Sequence, residues 1–170
     1  MGLDRRLILM DTKYRFVVDV NVGRLARWLR VMGYDTVFFR QGDDNDLVCI
    51  ALKESRVVVT RDSAFAPRWV AKQGMMKVVQ IRDDHLDGQL KQLIQDLKLD
   101  SDGEFSRCVE CNQPLIPAAR ERLEDGVPPY VFQHQRTFME CPECTRLYWR
   151  GTHWARMTER LKRVYQEAEG

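Results

Sequence analysis

Four cysteines in two pairs, Cys108-Val-Glu-Cys111 and Cys141-Pro-Glu-Cys144, constrain this 170-residue chain more than any other feature. Two residues between cysteines let a tight turn aim both sulfurs at one point, and two such turns make a tetrahedral four-thiolate zinc site. The 29 residues between the pairs exceed the short-ribbon spacing, so a hairpin or turn of helix is expected around Pro114 to Asp125. A four-sulfur shell leaves no open position for water or substrate, so the zinc is expected to be structural and its binding energy to be folding energy. The alternatives are two disulfides, a redox CxxC and an iron–sulfur cluster, which usually has tighter spacings. His134 and His153 flank the module and are not needed as ligands. Cys49 stands apart.

Upstream, short β-branched runs alternate with amphipathic segments. Phe16 to Val20 reads as a strand, and Val22 to Met32 as a helix carrying Leu25, Leu29 and Met32 and ended by Gly33. Thr36 to Phe39, Arg56 to Thr60 and Lys77 to Ile81 read as further strands. Asp46 to Glu54 reads as a helix capped by Asp44, Ala64 to Gln73 is a connecting segment, and Leu86 to Leu97 is a helix with a leucine stripe. The expectation is an α/β fold: an open sheet of four parallel strands with flanking helices and right-handed crossovers. The acidic stretch Asp100 to Glu104 marks a linker, and Ala155 to Glu167 reads as a closing helix. The expected division is 1–103, 104–154 and 155–170.

Net charge is only +2, so attraction to a polyanion must come from local clusters. The apolar run Leu7 to Met10 is too short for a signal-peptide core or a membrane span, and with CxxC pairs that suit a reducing compartment this makes a cytoplasmic location the expectation.

Sites in open α/β sheets form beyond the carboxyl ends of the strands. Asp19 ends the first strand here, Asp43, Asp44 and Asp46 follow the second, Asp62 follows the third, and Asp83 and Asp84 follow the fourth. Crowded carboxylates repel unless a cation neutralises them, and a hard divalent ion such as magnesium or manganese suits oxygen ligands and phosphodiester cleavage. The same loop aspartates also serve as caps and turn formers. A haloacid-type phosphatase would need an acid where Asn21 stands. A receiver domain would need a paired acid on the first strand and a lysine after the last.

Arg24, Arg27 and Arg30 recur every three residues on the helix after Asp19, and Arg61 sits beside Asp62; these are candidate phosphate contacts or a solvated face. In the cysteine module Tyr148 and Arg150 lie among Trp149, His153 and Trp154, a mixture that stacks unpaired bases or builds a small core.

The segments FVVDVNVGRLARWLRVMGYDT (Phe16 to Thr36), DDNDLVCIA (Asp43 to Ala51), RVVVTRD (Arg56 to Asp62), VPPYV (Val127 to Val131) and YWRGTHW (Tyr148 to Trp154), with the two CxxC pairs, resemble the PIN-like ribonuclease domain with an appended zinc ribbon, the Mut-seven C-terminal RNase family. The resemblance spans nearly the whole chain. It implies a magnesium- or manganese-dependent endoribonuclease acting on single-stranded RNA, with Asp19, Asp44 and Asp62 as catalytic metal ligands and Asp46, Asp83 or Asp84 as additional acids. With RNA as the implied partner, the candidate contacts read from residue type are Arg24, Arg27, Arg30, Arg61, Tyr148 and Arg150, beside the structural zinc expected on Cys108, Cys111, Cys141 and Cys144. One departure stands out: Ser63 and Ala64 occupy the place where many such domains have a further acid. A non-catalytic RNA-binding or scaffold protein with a degenerate site is therefore the alternative.

Overall fold

A computed structural model describes residues 14–65, 73–119 and 123–170. The apolar run Leu7 to Met10, the greater part of the segment Ala64 to Gln73, and residues 120–122 of the inter-knuckle turn lie outside the described residues.

Strands β1 (Phe16–Val18), β2 (Thr36–Phe38), β3 (Val57–Thr60) and β4 (Val78–Gln80) form one parallel sheet in the order β2-β1-β3-β4. Because successive side chains on a strand alternate in direction, the valine runs feed two cores. Phe16, Val18, Val57, Val59 and Val79 pack with the helices α1 (Gly23–Val31) and α3 (Leu86–Leu97). Val17 and Val58 pack on the other face against Leu47 and Ala51 of α2 (Asp44–Lys53) and against Phe65 and Met76. A sheet covered on both faces accounts for the near-continuous apolar strands.

The ends of the elements differ from expectation at two instructive places. Strand β1 stops at Val18, and a single 3-10 turn, Val20–Val22, turns the chain into α1; Asp19 caps that turn while its own N–H still donates to the Val59 carbonyl of β3 at 3.0 Å. Helix α2 begins at Asp44 and its cap is Asp43, not Asp44. The Asp43 carboxylate accepts from the Asn45 and Asp46 N–H groups, and Asp46 accepts from the Asp43 N–H, a reciprocal capping box.

The acidic linker is packed down. Gly33 has φ +90°, and a Cβ there would lie 2.0 Å from the Gly103 carbonyl oxygen, so both conformation and close approach require glycine. Phe105 N–H donates to the Val31 carbonyl at 2.6 Å, and the Tyr34 hydroxyl bonds both the Asp100 carbonyl and the Asp100 N–H.

Beyond it, β5 (Ile116–Pro117), β6 (Phe138–Glu140) and β7 (Leu147–Trp149) form an antiparallel sheet. The long interval between knuckles is filled by two short helices, α4 (Leu123–Gly126) and α5 (Pro129–His134), over a small core of Leu123, Val127 and Phe138 with Trp149 beside it. The closing helix α6 runs Thr152–Glu169, longer at both ends than expected. It returns to the first domain: Leu161 and Val164 are fully buried in the core that α3 also serves, and Arg160 and Arg163 both pair with Asp87. Among the described residues no helix is long and apolar enough to cross a membrane.

Leu161→Ala should cost about 2–5 kcal/mol of unfolding free energy in urea titrations, whereas Glu167→Ala on the exposed face of the same helix should stay within about 0.5 kcal/mol.

Candidate functional site

In the order β2-β1-β3-β4, the connections leaving β1 and β3 diverge across the sheet, toward β2 and β4, which puts the crevice between the carboxyl ends of β1 and β3. Asp19 and Asp62 follow those two strands. The Asp19 carboxylate is held by three donors: Val20 N–H at 2.6 Å, Asn21 Nδ2 at 2.7 Å and the Thr60 hydroxyl at 2.7 Å. Thr60 is fully buried, and its hydroxyl oxygen also accepts from the Asp62 N–H at 3.0 Å. Asn21 ties the two strand ends again, because its Oδ1 accepts from the Arg61 N–H at 3.1 Å. Asp62 accepts from Ala64 N–H at 2.8 Å and so shapes its own turn. Asp19 and Asp62 are thus ordered through one hydroxyl, and a carboxylate with about four lone-pair positions retains room for one more ligand after three donors.

The other acids divide by role. Asp44 is half-buried in the first turn of α2, on the same carboxyl side of the sheet. Asp46 is engaged in the capping box. Asp83 accepts from His85 N–H at 2.7 Å, and a Cβ on Gly88 would meet its Oδ2 at 2.1 Å, so this carboxylate is folded onto the start of α3. Asp84 forms an ion pair with Arg61. Among the described residues these acids do not close to the spacing of the cysteines described below, whose ligand atoms all lie within 4.8 Å of one another.

The arginines on α1 separate. Arg24 is exposed and, with Arg61, Asn21 and Asp84, lines a cleft beside the acids. Arg27 is exposed and reaches Glu110 at 3.7 Å. Arg30 does not fit a phosphate contact: only 8% exposed, it donates to the carbonyls of Thr36, Val109 and Glu110 at 3.0, 2.9 and 2.8 Å. A three-residue spacing on a 100° helix sweeps across faces, which is why the third arginine turns inward. Tyr148 is likewise engaged elsewhere, its hydroxyl lying 3.1 Å from Cys108 Sγ. Arg150 covers the Trp154 ring at 5.2 Å, and Trp154 packs on Phe105.

The two CxxC turns are near copies. In each, the first cysteine's N–H donates to the carbonyl five residues on (Gln113, Arg146), and the residue after the second cysteine donates back to the first cysteine's carbonyl (Asn112, Thr145). Asn112 and Thr145 both adopt left-handed backbone, φ 66° and 59°. Tetrahedral zinc–sulfur bonds of about 2.3 Å place sulfurs about 3.8 Å apart, and Cys108 Sγ and Cys144 Sγ lie 3.7 Å apart. Burial pushes the Cys108 thiol up, but the Tyr148 hydroxyl and the N–H groups of Cys111 and Glu110 outweigh it and bring it down to about 7. Hydrogen bonding with Cys144, then desolvation, drives Cys111 up to about 12. Sulfurs this close cannot all ionise without a cation, so the donor set fits a soft-to-borderline metal such as zinc. None of the five cysteines is in a disulfide.

The first knuckle is bolted to the parallel sheet by residues that the sequence pattern did not single out. Asn112 Oδ1 accepts from Thr36 N–H at 2.9 Å, and its Nδ2 donates to Asp35 at 2.7 Å. Asp35 also pairs with buried Arg56 at 2.8 Å. Burial alone would raise the Asp35 carboxyl, but hydrogen bonds from Arg56 and Asn112 and the Arg56 charge bring it to about 2. The one signal available in advance was an asparagine directly after a CxxC, where left-handed backbone favours that residue type.

A doubly covered parallel α/β domain with acids at the switch point, joined rigidly to a four-cysteine knuckle pair, defines the class. A family model for the Mut7-C RNAse domain matches residues 14–161, and the chain belongs to that family. Membership points to a ribonuclease with RNA as its substrate. No curated protein and no solved structure matches the chain.

The depressed Asp35 carboxyl stabilises the fold above the ordinary carboxylate range, and that contribution disappears as pH falls from about 4 to about 2. Asp35→Asn should lower unfolding free energy by roughly 2 kcal/mol near neutral pH, and urea titrations of the two proteins should converge as the pH is taken below about 3.

Proposed function

We propose that this chain is an endoribonuclease for single-stranded RNA in the cytoplasm, in which Asp19, Asp44 and Asp62 hold magnesium or manganese and zinc on the four cysteines serves only structure. The observation that carries the reading is Asp19 itself, an acid at the switch point oriented by Val20, Asn21 and Thr60. The Val20 bond caps the 3-10 turn, but a capping aspartate has no need of two further fixed donors, one of them the hydroxyl of a fully buried threonine. The hard oxygen donors at this rim fit a divalent ion that would activate water and neutralise phosphate charge.

The chain's own residues would do the positioning. Thr60 keeps Asp19 in one rotamer and orders the Asp62 turn in the same bond network, so the two carboxylates present a fixed edge. Asp44, in the first turn of α2, would add a third carboxylate. Arg24 and Arg27 offer cationic contacts along the approaching backbone, and Arg150 extends that surface on the cysteine module. A reading without cleavage draws on the open spacing of the rim acids and on Ser63 and Ala64 after Asp62.

Purified protein should return one zinc per chain by elemental analysis and cut labelled single-stranded RNA when manganese is added. Asp19→Asn and Asp62→Asn should each slow cleavage by about 100-fold or more while keeping the zinc and the thermal midpoint. Cleavage that survives both substitutions defeats the assignment of the acids, and tight RNA binding with no cleavage in the parent protein favours the non-catalytic reading.

A further inference from the structure

Next to the acidic rim, the turn after β1, the end of β3 and the start of α3 surround an open cleft of about 370 Å³, near the lower end of the range for small-ligand sites, about 300–1,000 Å³. That is room for one nucleotide, not for an extended duplex. Its lining joins three kinds of chemistry. Arg24 and Arg61 supply guanidinium groups, Val20 and Leu86 supply apolar surface, and Gln89 supplies an amide.

Gln89 is the informative member. It is only 7% exposed, yet it lines the cleft. Its Nε2 donates to the Asp83 carbonyl at 3.0 Å and approaches the Asp84 carbonyl at 3.5 Å, which orients the amide with its nitrogen toward the β4–α3 turn. Oε1 has no hydrogen-bond partner among the described residues. The oxygen is not among the buried unsatisfied atoms, so it faces the cleft: an acceptor held in one orientation on an open wall, preset for a ligand that brings a donor. The amide can only accept at that end, so the ligand must bring a hydrogen-bond donor.

The guanidiniums tell the other half. Among the described residues Arg24 has no ion-pair partner and the Arg61 guanidinium pairs only with Asp84, whose side chain is 75% exposed. A phosphate, with more charge and more acceptor oxygens than a carboxylate, can displace Asp84 from Arg61 at little cost.

We propose that this cleft is a nucleotide subsite adjoining the acids, in which Arg24 and Arg61 take a phosphate of the RNA strand and the Gln89 amide oxygen accepts a hydrogen bond from a ribose 2′-hydroxyl or a base N–H. The proposal rests on the ribonuclease reading above. Val20 and Leu86 cover the apolar face of the bound nucleoside, and Gln89 is the specificity-determining residue. Asp84 competes with substrate phosphate and sets how tightly any strand is held.

The test is equilibrium binding to the full zinc-containing chain without magnesium or manganese, so that no cutting is required. Three short single strands are compared: oligoriboadenylate, oligodeoxyriboadenylate and an abasic ribose-phosphate strand. The parent protein should prefer the riboadenylate over at least one of the other two by about tenfold, the deoxy arm reporting the 2′-hydroxyl and the abasic arm the base. Gln89→Leu should reduce that preference below about twofold, whereas Arg61→Ala should weaken all three strands equally, keep the preference, and reduce the salt dependence by about one phosphate contact. Asp84→Asn, a change at an exposed side chain that leaves the carbonyl under Gln89 intact, should tighten every strand by a few-fold and carries the test if Gln89→Leu does not fold. Absence of any preference in the parent protein, preference intact in folded Gln89→Leu, or weaker binding by Asp84→Asn overturns the subsite. RNA cutting that depends on Asp19 with no such preference would refute the subsite alone, and discriminating binding without cutting would refute the nuclease reading alone.

Discussion

The hydrogen-bonded node around Asp35 and Asn112 is the interaction on which the relation between the two halves of the molecule depends. Asn112 completes the edge of β2 from outside by accepting the Thr36 N–H, while Arg30 reaches from α1 to the carbonyls of the same knuckle. Arg56, buried beneath, neutralises Asp35 and also bonds the Phe16 carbonyl at the start of β1. Three elements of the sheet domain and one zinc-type knuckle thereby share a single set of charged hydrogen bonds in a poorly solvated position. Such networks hold one geometry firmly because each lost partner leaves another buried group unpaired.

That node changes what the cysteine module is. Seen as spacing alone it is an accessory ribbon beyond a linker, but the linker is pinned at Gly33 and Tyr34, and α6 returns from the ribbon to bury Leu161 and Val164 in the first domain's core. The knuckle therefore sits between two anchored segments. A metal bound by Cys108 and Cys111 would also fix the carbonyls that Arg30 needs, and so would stabilise the edge of the sheet as well as the module around it.

Local chemistry made much of this legible in the sequence. Valine runs with alternating destinations, the leucine stripe of α3 and the CxxC pairs each carry a periodic or spacing rule, and each led to the element found. Asp19 stood out because a carboxylate ending an apolar strand demands a reason. The misassignments arose where a decision belonged to three dimensions. Asp43 and Asp44 are chemically equal candidates for a cap, and the backbone turn at Gly42 selected the first. Arg30 has the composition of a phosphate contact, but the carbonyls that claim it lie 79 and 80 residues away. Nothing local in Gln89 tells that its amide nitrogen is held by a turn and its oxygen is not.

The placement of donors also separates two metal chemistries. Thiolates select borderline and soft ions and are gathered at the β2 edge around the first knuckle, whereas the carboxylates that suit magnesium or manganese lie at the carboxyl ends of β1 and β3. The Irving–Williams order favours zinc over magnesium and manganese at almost any protein site, so an oxygen-only rim gains selectivity only if no sulfur or imidazole can swing into it. For the four paired cysteines the fold meets that condition. Asp19 is surrounded by hydroxyl, amide and backbone donors, and the cysteines are fixed in knuckles whose backbone bonds repeat in both turns. Rigid docking of the ribbon therefore serves discrimination as well as stability: it keeps the strongest ligands in the chain away from the weakest-binding ion that the proposed chemistry requires.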